Sequence, residues 1–206
     1  MDAVQEYKNY FHNGDRRNIF QVLAKEFQID RALYPGSYIH IAPSFFIPEV
    51  VYVDSFKKTV PFFEDKSLLN FIKKNKNYDP VPKIRFHLMD YDKNIPEASE
   101  YFDLLISQYA GFISQCCKTH LKSNGLLVAN NSHGDASMAI KDENFDFKGV
   151  IYHSGGTYRY TTKSLDKYFI PKHEGYKASL DYVRKTMKGT TYTKSASSYV
   201  FEKNYP

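Results

Sequence analysis

The sequence predicts an α/β fold built on a doubly wound, mostly parallel sheet that finishes in an antiparallel hairpin. Three observations carry this. Short, near-continuous apolar runs rich in β-branched and aromatic residues recur at 38–41, 50–53, 84–89, 104–106 and 126–129, and such runs suit strands buried on both faces. Helix-length amphipathic stretches separate several of them, and alternation of this kind argues for parallel strands joined by right-handed crossovers. From residue 145 onward the pattern changes to β signals around glycines, as a closing hairpin requires.

Taken in order, a polar N-terminal arm (1–17) precedes "NIFQVLAKEFQ" (18–28), where Ile19, Val22, Leu23 and Phe27 fall on one helical face and predict a helix packed on the sheet. "SLLNFIKKNK" (67–76) and "AGFISQCCKTHLK" (110–122) read as further helices, the second stopping at "SNG" with Gly125 just past its end. "FDFKGVIYHSGGTYRYTT" (145–162) is a hairpin turning at Ser154, Gly155 and Gly156. A helix near 176–188 and a last strand in "SSYVFEK" (197–203) complete the chain. No Pro- or Gly-rich linker divides it, so 1–206 is read as a single domain.

Composition narrows the class. With 42% hydrophobic and 25% charged residues the chain is an ordinary globular protein of a size that buries about 70% of its unfolded surface. The 18 Tyr and 16 Phe, with no Trp, provide rings that pack while the phenol stays wet. The formal charge of +5 comes from 28 basic against 23 acidic residues spread along the length. Its densest run, Lys73, Lys74 and Lys76, reads as a solvated helix end, so nucleic-acid binding has weak support. Cys116 and Cys117 are adjacent and form no metal pair; together with the lack of a signal peptide or membrane span they predict a reducing, cytoplasmic setting and no membrane partner. The seven His show neither HxH nor HExxH spacing, so no metal site is expected. Oligomeric state is not legible.

In an open α/β sheet a ligand lies beyond the carboxyl ends of the strands, met by the first βα turn and by an acid at the end of the second strand. "ALYPGSYIHIAPSFFIPEVVYVD" (32–54) offers both. Gly36 follows the run Arg31–Tyr34 at a turn begun by Pro35, and Asp54 closes "VVYVD" 18 residues later, against the about 20 that usually separate a glycine loop from a ribose acid. Downstream, "IRFHLMD" ends in Asp90, "FDLLIS" runs into "SQYAG" (107–111), and "GLLVANNSHGD" follows the next helix.

This ordered series resembles the class I S-adenosylmethionine-dependent methyltransferase family over roughly residues 18–203. The resemblance implies a Rossmann-like seven-stranded sheet, S-adenosylmethionine as cofactor, and an unidentified methyl acceptor, a small molecule or a locally recognised group. By position it sets Tyr34, Pro35, Gly36 and Ser37 at the cofactor turn, Asp54 and Ser55 at the ribose, Met89, Asp90 and Tyr91 beside adenine, and Ser107, Gln108 and Tyr109 beside the sulfonium. The family's first motif commonly carries two or three glycines, whereas here Tyr38, Ile39 and His40 follow a single one. These bulky residues either line the pocket or fill it.

Each site residue also has a plain alternative. Asp54 and Asp90 are the kind of acid that caps a strand end, and Gly36 after Pro35 is an ordinary turn pair. Gln108 and Tyr109 are the weak catalytic candidates at the fourth strand end, and without the paired prolines of nucleobase methylases "SQYAG" does not support that reaction. His133 is the remaining candidate, a general base near neutral pH or a solvated loop histidine. A short-chain dehydrogenase reading of Ser154, Tyr168 and Lys172 fails because Pro171 breaks the helical turn that must link Tyr to Lys, and G-x-G-x-x-G is missing. A non-catalytic methyltransferase-like fold, serving as a ligand-binding or interaction module, stays open beside the enzyme.

Overall fold

The computed structural model describes residues 2–175 and 179–204. Its strands are β1 (Arg31–Pro35), β2 (Glu49–Asp54), β3 (Lys83–Leu88), β4 (Phe102–Ser107), β5 (Leu121–Ala129), β6 (Phe145–Ser154), β7 (Thr157–Thr161) and β8 (Ser198–Lys203). They form one sheet in the order β3-β2-β1-β4-β5-β8-β6-β7. β1 to β5 run parallel, β8 is antiparallel to both β5 and β6, and β7 pairs antiparallel on β6. The expected doubly wound sheet with its terminal hairpin is present, with eight strands where seven were expected. The edge strand β7 is held because Tyr158 and Tyr160 join the apolar core and the Tyr160 ring meets Phe27 edge-on, centroids 5.2 Å apart.

Helices cover both faces. α1 (Ala3–Tyr10), α2 (Arg17–Glu26), α3 (Val60–Glu64) and α4 (Lys66–Asn75) pack on one side, over a core that includes Phe20, Leu23, Tyr52, Phe62, Leu68 and Ile72. α5 (Ile113–Cys117) and α6 (Asp135–Ala139) pack on the other, over Leu33, Val51, Leu105, Tyr199 and Phe201. α7 (Leu180–Thr186) leans on α6; of the helix expected at 176–188, residues 176–178 lie outside the described residues.

Three local expectations are corrected. Much of the N-terminal arm is a helix, Ala3–Tyr10: Asp2 caps it by accepting from the Gln5 amide at 2.8 Å, and Ala3 and Tyr7, one turn apart, are buried, a stripe concealed by the polar residues around it. Residues 38–41 form no strand, because Tyr38 adopts a left-handed backbone (φ 48°) and a 3-10 turn begins at Ala42. The helix of 110–122 shrinks to α5 and one 3-10 turn, since β5 starts at Leu121. "SNG" belongs to a bulge of β5, where Asn124 has φ 60° and the partners jump from Phe102↔Leu121 to Leu104↔Leu126.

Candidate functional site

The chain's winding reverses between β1 and β4, and at such a switch point the loops part to admit a ligand. On one side the turn after β1 folds onto the end of β2: the Val53 carbonyl accepts from the amides of Gly36 at 2.7 Å and Ser37 at 3.4 Å. Asp54, closing β2, joins the two loops. One carboxylate oxygen accepts from the Tyr38 amide at 2.7 Å and the other from the Phe56 amide at 2.9 Å. The side chain is half-exposed, and a carboxylate has about four lone-pair sites, so capacity remains for a ribose diol. The cap reading and the binding reading of Asp54 are therefore compatible.

On the other side of the switch point, "SQYAG" closes against this turn. A Cβ added to Gly36 would stand 2.5 Å from the Cβ of Ala110, and Gly36 also has φ +65°; glycine is required here for both close approach and backbone conformation. Tyr91 reaches the same place, its ring 4.0 Å from that Cβ position and its hydroxyl against Gly111, with burial raising its pKa. Tyr91, expected beside adenine, thus packs on the glycine turn.

Tyr109 has φ 59° and is 53% exposed, with the Arg16 guanidinium 4.1 Å from its ring centre. A bulky residue held in the left-handed region is a strained position of the kind that gathers at sites. Beneath, the Tyr34 hydroxyl and His40 Nδ1 lie 2.9 Å apart, and His40 Nε2 is 2.6 Å from the Asp15 carbonyl. A carbonyl only accepts, so Nε2 donates and Tyr34 donates to Nδ1. Burial lowers the His40 pKa to about 4, leaving a neutral ring, and raises that of Tyr34.

The structure thus brings Gly36, Ser37, Asp54, Tyr91 and Tyr109 to one rim. Tyr34, Pro35 and Ser37 are buried, Ser55 and Asp90 are exposed, and Met89 is half-buried. Ile39 and His40 are buried and fill rather than line, whereas Tyr38 sits at the surface between the rings of Tyr10 and Phe56, at 4.9 and 6.0 Å. Ser107 and Gln108 are buried. Gln108 accepts from the Asn130 amide group at 3.3 Å and donates to the Ser198 hydroxyl at 3.2 Å, tying β4, β5 and β8 together. His133 is half-exposed and lies 3.0 Å from the Ser132 hydroxyl.

Residues passed over in sequence matter more than that histidine. Asp135 is buried and accepts from both the amide and the hydroxyl of Ser114, at 2.9 and 2.5 Å, while burial raises its pKa. Asn130 and Asn131 organise the turn after β5, and the polar run "NNSHGD" carried that signal through its amides and acid. A cleft of about 450 Å³ opens between Tyr109, Asn130, Ser132 and the segment 189–199. A larger one of about 860 Å³, between α1 and α4, contains none of the candidate residues. Among the described residues no group of three His, Cys, Asp or Glu is placed to hold a metal, and no helix is long and apolar enough to cross a membrane.

The five parallel strands run in the order 3-2-1-4-5, with an antiparallel strand seated between β5 and β6. No family model and no curated protein matches the chain. Among solved structures it is similar to a methyltransferase from Geobacter sulfurreducens (14% identity, 76% of this chain and 84% of the other, TM-score 0.49). It is also similar to the O-methyltransferase TomG from Streptomyces achromogenes, solved in complex with S-adenosylmethionine (12%, 70% and 76%, TM-score 0.46). Against the YcgJ protein from Bacillus subtilis (20%, 59% of this chain, TM-score 0.40) it spans only about half, 54%, of that chain's length. At these identities and scores the likeness extends no further than the sheet.

Proposed function

We propose that the chain is an S-adenosylmethionine-dependent methyltransferase acting on a small or locally recognised acceptor. The observation that carries this reading is the left-handed Gly36 turn hydrogen-bonded to the end of β2 beside a half-exposed Asp54, at the switch point of the sheet. The residues fit the cofactor: the tight Gly36 turn, its amides tied to Val53, would let backbone stand close to the amino acid part, Asp54 has spare acceptor sites that would serve the ribose, and half-buried Met89 would flank the adenine. When bound, the cofactor supplies an electrophilic methyl group on a sulfonium. The chain's own contribution is placement and exclusion of water, which by themselves supply much of the rate for an in-line transfer. His133, half-exposed in the turn after β5, is the residue proposed to move an acceptor proton.

A second reading, a methyltransferase-like fold without catalysis, is favoured by one specific contact: Ala110 rests on Gly36 where a ligand must approach, and a 3-10 turn replaces the helix expected after the glycine. Calorimetric titration with S-adenosylmethionine and its demethylated product separates the two. The expected result is binding by the native chain that weakens about 100-fold in Asp54→Ala, the loss of two hydrogen bonds to a charged group, with far-UV circular dichroism retained. No binding of either ligand by the native chain sinks the enzyme reading.

A further inference from the structure

Charged residues of both signs run along the whole chain, but their net excess is local. Residues 163–194, which connect β7 to β8, hold eight Lys and Arg against three acids and so account for the whole +5 of the chain. This connection is ordered by its own pairing: Pro171 bridges Tyr192 in antiparallel fashion, the Lys172 amide donates to the Thr191 carbonyl at 2.9 Å, and the Thr193 amide donates to Ile170 at 2.8 Å. It is also fastened to the turn after β5. The Asn131 side-chain amide donates to the Thr190 carbonyl at 2.9 Å, and the Ser137 hydroxyl accepts from the Thr190 amide at 3.1 Å and the Tyr192 hydroxyl at 2.9 Å. Gly189 permits this docking, because a Cβ there would enter the Asn131 carbonyl.

The basic connection forms one wall of the cleft of about 450 Å³ at the ends of β4 and β5. Among the described residues no acid lines that cleft. Its polar groups are the amide of Asn130, hydroxyls such as Ser132, Thr191 and Ser195, and the Lys172 ammonium. A recess of about 130 Å³ shares the Gly189–Thr191 wall and adds Lys188 and His173. Among the described residues neither Lys172 nor Lys188 is paired with a carboxylate, whereas Arg184 lies 3.6 Å from Asp181 and Lys194 sits 4.2 Å over the Tyr168 ring. Two unneutralised ammonium groups beside a wall of neutral donors favour an anion that also carries hydroxyl groups, and the volume is that of a small molecule.

We infer that this cleft, together with the recess that adjoins it at Gly189–Thr191, binds a small hydroxylated anion, with Lys172 of the cleft and Lys188 of the recess meeting its phosphate or carboxylate and the Asn130, Ser132 and Thr191 groups meeting its hydroxyls. That this anion is the methyl acceptor rests on the methyltransferase reading; the anion site itself does not.

The test is calorimetry on the full chain without cofactor, using 3-phosphoglycerate, inorganic phosphate and lactate as probes, so that the phosphate and carboxylate arms are read separately. Saturable binding of 3-phosphoglycerate is expected, weakened about tenfold or more in the Lys172→Gln, Lys188→Gln double variant and within about twofold of native in a Lys66→Gln, Lys74→Gln double variant on α4. The single probe that retains binding identifies the group recognised. Absence of saturable binding to any probe, or equal losses in the two double variants, overturns the site. Tighter binding of a single-stranded RNA of about 12 nucleotides, with a steep salt dependence, overturns the small-molecule assignment in favour of nucleic acid. Failure of the cofactor titration with anion binding intact overturns methyl transfer alone.

Discussion

Gly36→Ala is expected to destabilise the chain by about 3 kcal/mol, the sum of about 1–2 kcal/mol for a side chain in the left-handed region and about 1–3 kcal/mol for overpacking. The added Cβ would meet the Cβ of Ala110 at 2.5 Å. That atom sits directly on backbone and cannot swing away as the end of a long side chain would, and its loop is held from behind by Tyr91 against Gly111. Gly155→Ala supplies the control. Gly155 has φ +57° with nothing within 4 Å, so it carries the conformational cost alone, about 1 kcal/mol. Urea unfolding of the two variants checks the expectation: a difference of about 2 kcal/mol measures the closure of the loops across the switch point, and equal losses would show that the contact yields.

Acidification is expected to remove about 3 kcal/mol of stability through His40. Burial lowers its pKa from 6.5 to about 4, a difference of 2.5 units at about 1.36 kcal/mol each. The sign follows from proton counting. Between pH 6.5 and about 4 the unfolded chain binds a proton on this imidazole and the folded chain does not, so stability present above pH 6.5 is lost as pH falls through that window. Asp135 acts in the opposite sense, since burial raises its pKa above 3.8; the folded carboxyl takes up its proton first, and stability returns as pH falls through its raised value. Stability measured in urea at pH 7.5, 6, 5 and 4.5 should therefore decline through the series, with Asp135 opposing the loss at its acid end. In His40→Phe the decline above pH 5 should vanish, at a constant cost for the hydrogen bonds to Tyr34 and Asp15. An undiminished decline in that variant would place its origin elsewhere.

Both predictions rest on residues whose type was visible in the sequence and whose task was not. Gly36 and Asp54 were legible because a glycine turn and a strand-end acid at a fixed separation are local facts tied to a recurrent sheet. Tyr38, Ile39 and His40 left two outcomes open, and the choice came from packing: Ile39 and His40 have the space between β1, α2 and the 3-10 turn to enter, while Tyr38 finds Tyr10 and Phe56 at the surface. Tyr10 belongs to a helix that local pattern concealed, because only one apolar residue per turn faces inward. The contact of Ala110 with Gly36 spans 74 positions and has no local signature at all.

The same division holds for the whole protein. Strand and helix periodicity, set by side chains repeating every two or every 3.6 residues, determined the α/β class, four of the five parallel strands, the closing hairpin and the candidate cofactor turn from residue order alone. Tertiary structure decided the rest: that β8 inserts between β5 and β6, that Tyr91 and Ala110 close on Gly36, and that Lys172 lines a cleft of otherwise neutral groups at the ends of β4 and β5. Those outcomes depend on which distant surfaces exclude water together and on which buried donors find acceptors, and neither condition is written in any single stretch of the chain.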